Sequence, residues 1–209
     1  MERITNPTEH ERSVLVAVDV QNDFIDGSLA VPEGSDVVAP LNTVADLVRS
    51  RGGAVVFTRD WHPEETPHFA TWPVHCVADT EGAAFHPNLD VRDDDIIISK
   101  GTGQTDGYSG WEGTSDDGQT LETVIAPAGP RDRVRVLLGG LATDYCVKAT
   151  GLDIAKRFKD DARVRIQYLA DAARGVNLSQ GDDMNAVAAM EAAGIELTYS
   201  TTVTESFGA

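Results

Sequence analysis

The stretch VLLGGLATDYCVKAT, residues 136–150, decides how the whole chain is read. Its apolar run Val136-Leu137-Leu138 has the character of a buried strand and stops at Gly139-Gly140. From Thr143 onward the pattern turns helical, so a strand passes into a helix within a few residues. Such a junction is the repeating unit of a parallel sheet. Cysteine is usually a small buried hydrophobe, yet Cys146 stands among polar neighbours at this junction. With Thr143 as N-cap, Cys146 becomes the third helical residue. There the helix dipole favours a thiolate, and free N–H groups can hold an oxyanion.

Working outward, the same alternation recurs. Residues 13–20, 53–60, 95–100, 133–140, 163–171 and 194–200 read as strands, rich in Val and Ile. The first and fourth are almost continuously apolar, as expected for parallel strands covered on both faces. Helical patterns fill residues 35–52, 116–126, 143–158 and 179–194, with Pro40 tolerated in a first turn. The expectation is an α/β fold with a doubly wound, mostly parallel six-stranded sheet of order 3-2-1-4-5-6 and right-handed crossovers. No repeat or low-complexity linker divides the chain, so residues 1–209 read as one domain, with residues 1–11 a polar tail that includes His10.

Composition narrows the function classes. Hydrophobic residues make up 41% of the chain and charged residues 24%, the balance of an ordinary globular protein. The formal net charge of -17 repels phosphate backbones and anionic membranes, which sets nucleic acid and lipid surfaces aside as partners. A small-molecule substrate remains, and a homo-oligomer stays open. Two cysteines, Cys76 and Cys146, are too few for a disulfide framework, and Cys76 reads as structural. The polar N-terminus has no signal-peptide core, and no apolar run is long enough to span a bilayer. The expected setting is the reducing cytoplasm.

Open parallel sheets bind ligands beyond the carboxyl ends of their strands, where strand order reverses. The chemistry-bearing residues fall at those ends. Asp19 closes the first strand, Asp60 and His62 follow the second, Lys100 follows the third and Cys146 follows the fourth. Asp19 reads as a base for the thiol and Lys100 as a cation that orients its neighbours. The spacing Asp60-x-His62 puts two donors on one side of an extended segment, and His75 or His68 could complete a site for a borderline divalent metal. His86 reads as a loop residue outside the site. The connections at 21–34 and 60–94 are long enough to be functional. KGTGQTDG lacks dinucleotide spacing, and no P-loop or G-x-S-x-G motif occurs.

Taken together, VAVDVQNDF, RDWHP, TWPVHC, SKG, GLATDYCV and LADAARGVN resemble the isochorismatase-like superfamily of cysteine hydrolases, and within it the nicotinamidase branch. The resemblance covers nearly the whole chain in the right order. It implies a three-layer αβα fold, Rossmann-like in topology, and amide hydrolysis of nicotinamide to nicotinate and ammonia through a thioester. It implies Cys146 as nucleophile, Asp19 as general base and acid, and Lys100 as the third member. An oxyanion hole of the Ala142 and Cys146 amides is implied beside a non-proline cis peptide at Leu141–Ala142. Metal positions carry over to Asp60, His62 and His75, with His68 matching a ligand of only some members; zinc is the first expectation, manganese or iron the others. Phe24, Trp72 and Tyr108 match an aromatic substrate pocket. Carbamoyl amidases and isochorismatase-type enzymes of the same fold lack the paired metal segments, and a catalytically dead metal-binding module would not need Asp19, Lys100 and Cys146 together.

Overall fold

A computed structural model describes residues 10–103 and 106–208. Its strands are β1 (His10–Val18), β2 (Ala54–Asp60), β3 (Ile96–Lys100), β4 (Asp132–Leu141), β5 (Val164–Arg174) and β6 (Glu196–Thr198). They form one six-stranded sheet of order β3-β2-β1-β4-β5-β6. Every pairing is parallel. The helices are α1 (Asn22–Ile25), α2 (Val38–Ser50), α3 (Leu121–Ile125), α4 (Lys148–Phe158), α5 (Asp182–Ala192) and α6 (Ser200–Gly208). None is long and apolar enough to cross a membrane among the described residues.

The two-residue period of the central strands divides the core between the sheet's faces. Leu15, Ala17 and Leu137 pack on one side with Val44 and Val48 of α2 and Val203 of α6. Val14, Val16, Val18, Val136 and Leu138 pack on the other with Ile154 of α4 and Met190 of α5. A strand with buried side chains on both faces must be apolar at nearly every position, which is why β1 and β4 read so clearly.

The departures from the sequence reading have local causes. β1 begins at His10, so residues 10 and 11 of the expected tail are strand, pairing with Asp132 and Arg133 of β4; residues 1–9 lie outside the description. Their polarity disguised them. β1 also ends earlier than expected, because Asp19 takes the left-handed conformation at φ 51°. Aspartate tolerates that region better than most residues. The helix expected over 116–126 shrinks to α3, started by a Thr120–Thr123 capping box. α6 was not anticipated, since its sequence is mostly polar. Asp171 starts it by accepting hydrogen bonds from the Ser200 hydroxyl and, at 2.8 Å, from its N–H.

One glycine fixes how closely the central strands approach. Gly140 stands beside Val18 in the β1–β4 register. Its φ is 115°, and a Cβ there would lie 2.1 Å from the Val18 carbonyl oxygen. Gly140→Ala is therefore expected to cost about 2–5 kcal/mol, combining backbone strain with overpacking. Gly118 provides the control: its φ is 82° but a Cβ would meet nothing within 4 Å. Gly118→Ala should cost only about 1 kcal/mol. Thermal melts of the two variants compare them, and equal losses would sink the close-approach argument.

Candidate active site

The strand ends bring the expected residues together through register. Asp60 is the β2 partner of Lys100 on β3, and Val18, just before Asp19, is the β1 partner of both Thr58 and Gly140. Asp19, Asp60, Lys100 and Cys146 are all buried. Lys100 Nζ lies 2.8 Å from Asp19 Oδ2 and pairs tightly with Asp60 Oδ1. The same ammonium donates to Gly107 O at 3.0 Å and reaches Cys146 Sγ at 3.5 Å. Thr58 Oγ1 donates to Asp19 Oδ1 at 2.6 Å. One lysine thus joins the two carboxylates and the thiol.

Electrostatics separates the two carboxylates. Burial, reinforced by Asp60, raises Asp19 to about 6 although Lys100 pulls it down. Burial also works against ionised Asp60, but the Lys100 ammonium and neighbouring His62 outweigh it, and the carboxyl is held below its ordinary range. Burial alone would discharge Lys100; its two carboxylates reverse this and keep the ammonium. Cys146 is pushed well up, first by burial and then by Asp19 and Asp60, against the pull of Lys100. Burial and the two carboxylates therefore work against the dipole-stabilised thiolate expected from sequence, and a base such as Asp19 is needed to take the thiol proton. The helix start also differs. Ala142, not Thr143, is the N-cap of a wide turn over Thr143–Val147, with Val147 N–H donating to Ala142 O at 3.1 Å. Cys146 is its fourth residue, and Thr143 instead shares a hydrogen bond with the Tyr168 hydroxyl at 3.2 Å. The Leu141–Ala142 peptide is cis, as the resemblance implied.

Beside this group sit three histidines. His62, His68 and His75 are buried, with ring nitrogens that gather within 4.8 Å of one another. Each Nδ1 has an oxygen partner: Gly101 O at 2.9 Å, Asp106 Oδ1 at 2.8 Å and Pro73 O at 2.7 Å, respectively. Those acceptors fix the Nδ1–H tautomer and turn each Nε2 lone pair toward the others. Burial lowers His75, favouring the neutral ring a metal needs. Asp60 Oδ2 lies 3.7 Å from His62 Nε2 and 3.9 Å from His75 Nε2. His62 Nε2 is buried without a hydrogen-bond partner among the described residues. An orphaned lone pair facing two more imidazoles and a carboxylate fits a divalent cation. Gly101 is needed for this packing: its φ is 64° and a Cβ would stand 2.5 Å from the His62 ring.

Both groups open into one small cavity, which Cys146, Asp60, His68 and His75 border. Phe24, Trp72 and Tyr108 line it as expected, with Ala142 beside the nucleophile. Trp72 Nε1 donates to the Tyr108 hydroxyl at 2.9 Å. Leu29, Val31, Tyr145 and Val176 complete the walls. His86 stays outside, accepting from Asn88 N–H at 3.3 Å.

Residues 13–202 match the Isochorismatase domain family. The chain belongs to the isochorismatase family. It is 35% identical over 205 residues to Nicotinamidase of Escherichia coli (strain K12), covering 88% of this chain and 92% of that relative. The solved pyrazinamidase of Pyrococcus horikoshii in complex with zinc matches with a TM-score of 0.75 at 35% identity, over 90% of this chain and 99% of that one. PnC1 from L. infantum, solved in complex with nicotinate, matches with a TM-score of 0.74 at 31% identity, over 91% and 93% of the two chains.

Several supports of this isochorismatase-family site were not read from the sequence. Gln21 is buried and clamps the Asp60 backbone, its side chain bonding both Asp60 N–H and Asp60 O at 2.8 Å. Asp144 accepts from the N–H groups of Val176 at 2.9 Å and Asn177 at 2.8 Å, tying the Cys146 turn to the segment after β5. Asp23 accepts from Cys76 N–H at 2.8 Å, setting the segment that carries His75. The polar run Gln21-Asn22-Asp23 directly after a buried strand was the available signal.

The donor set predicts about one divalent ion per chain. His62→Ala, which removes the orphaned donor, should lower metal affinity by roughly ten- to a hundredfold or more. Metal analysis after dialysis and competition with a chelating dye reads this. Wild-type affinity in the variant would dismiss His62 as a ligand.

Proposed function

We propose that this protein hydrolyses nicotinamide to nicotinate and ammonia, with Cys146, Asp19 and Lys100 as the catalytic residues. The carrying observation is that a buried thiol–carboxylate–lysine group and a histidine-rich donor set share one small aromatic-walled cavity. A pyridine carboxamide presents a carbonyl for the first and a ring nitrogen for the second. The identities to nicotinamidases support this reading. Carbamoyl amidase and isochorismatase-type chemistry would leave the histidines unused. The two free cysteines suit a cytoplasmic enzyme.

Nucleophile activation follows from the pKa order. Asp19, charged near neutral pH, takes the Sγ proton of Cys146 as sulfur attacks the carboxamide carbon. The developing oxyanion accepts from the Ala142 and Cys146 amides. Asp19 returns the proton to nitrogen, the C–N bond breaks, and ammonia leaves a thioester on Cys146. Asp19 then takes a proton from water, whose oxygen adds to the thioester carbon. Collapse releases nicotinate, and Cys146 recovers its proton from Asp19. Lys100 holds both partners in place and keeps their alternating negative charge neutralised. Asp60, His62, His75 and His68 would hold a divalent ion, zinc first among zinc, manganese and iron, which supplies a Lewis-acidic anchor for the ring nitrogen. Phe24, Trp72 and Tyr108 sandwich the ring and exclude water.

Assays of ammonia and nicotinate release test this directly. Cys146→Ala should lose turnover by at least about a thousandfold while keeping its fold. Because the base must be ionised, wild-type kcat/KM should fall tenfold per pH unit below about 6. Lys100→Met removes the cation that favours the Asp19 carboxylate, so any residual activity should show that acid limb at higher pH. An acid limb unmoved by the substitution would separate Lys100 from the base, and undiminished turnover in Cys146→Ala would end the thioester mechanism.

A further inference from the structure

We propose that Tyr145 is a specificity-determining wall: it closes the substrate cavity against a neighbouring groove that would otherwise admit pyridine carboxamides bearing neutral ring substituents. The inference rests on the amidase reading and extends it to the size of the substrate.

The cavity beside Cys146 is small and walled by Phe24, Trp72 and Tyr108. Immediately next to it runs a larger, open groove of about 470 Å³, bordered by Lys148, Asp182, Asn185 and Ala189. Tyr108 and Tyr145 are the two residues that border both spaces. They are held differently. Tyr108 is anchored through its hydroxyl by Trp72 Nε1 at 2.9 Å. Tyr145 meets the same neighbours through its ring, edge-on to Trp72 at 5.0 Å and tilted to Tyr108 at 5.9 Å. Its side chain is partly exposed, whereas its backbone N–H is fixed to Ala142 O at 3.0 Å, next to the nucleophile. The ring can therefore be removed without moving the turn that carries Cys146.

The character of the groove defines what could enter. Lys148 and Asp182 carry opposite charges, and Asn185 adds a neutral donor and acceptor. Asp144 also borders it, but its carboxylate is committed to the Val176 and Asn177 amides at 2.9 and 2.8 Å. The balance favours neutral substituents, from methyl to hydroxymethyl, over charged ones. In the wild-type protein the Tyr145 ring occupies the passage, so the substrate is held to an unsubstituted ring.

The test compares wild type, Tyr145→Ala and Tyr145→Phe on nicotinamide and on nicotinamides methylated in turn at ring carbons 2, 4, 5 and 6. Tyr145→Ala should raise kcat/KM for at least one methylated amide, relative to nicotinamide, by tenfold or more. Tyr145→Phe keeps the ring and should keep the wild-type ratio. A melting curve checks that each variant is folded. Access is also read without turnover, by alkylating Cys146 with iodoacetamide and with a bulky N-aryl maleimide and locating the label by peptide mass. The alanine variant should narrow the rate gap between the two reagents at Cys146 by at least tenfold. Loss of wild-type nicotinamide hydrolysis would fail the amidase reading while leaving this access measurement in force. Unchanged substrate ratios and an unchanged reagent gap in Tyr145→Ala would overturn the proposal.

Discussion

The Lys100 ammonium, buried between Asp19 and Asp60, is the constraint on which the site depends. Three charges without water are costly unless each is paired, and here one cation serves two anions, a thiol and a backbone carbonyl. The ends of β1, β2 and β3 must stay in register for that contact to exist. The same pairing divides labour between two carboxylates of ordinary chemistry. Asp19, whose second oxygen accepts from Thr58, stays near the pKa of a base that works at neutral pH. Asp60, next to His62 as well as Lys100, stays ionised and free to serve as a ligand.

That division makes Asp60 the hinge between two chemistries. Oδ1 faces the lysine, and Oδ2 faces His62 and His75. Its backbone is clamped by Gln21 from the loop after β1. Nucleophile and ligand group are thereby set at a fixed offset on one cavity wall, as recognition of a small ring at two points requires. The fold supplies the rest of the rigidity. Gly140 brings β4 against β1, and Asp144 ties the Cys146 turn to the segment beyond β5.

Much of this was legible because the sequence writes it in short periods. Apolar runs covered on both faces announced β1 and β4, and a charged residue ending each run announced Asp19, Asp60 and Lys100. The spacing Asp60-x-His62 and the nearby histidines announced a donor set. α3 is shortened by a local Thr120–Thr123 capping box that starts it late, whereas the tail at residues 10 and 11 and polar α6 misled because each depends on pairing or capping partners far away in sequence. Gln21 and Asp106 were silent for the same reason: their roles lie in hydrogen bonds to Asp60 and His68, 39 and 38 residues away.

By itself, then, the sequence determined the alternation of strand and helix, the strand order and the chemical types gathered at the strand ends, since these follow from local periodicity and from how parallel sheets cross over. Only the tertiary structure sets the burial and charge pairing that push each group of the site up or down. A helix start favours a thiolate, but burial beside Asp19 and Asp60 pushes the Cys146 thiol up, against that dipole. Desolvation depends on everything packed around a group, and no window of sequence contains that.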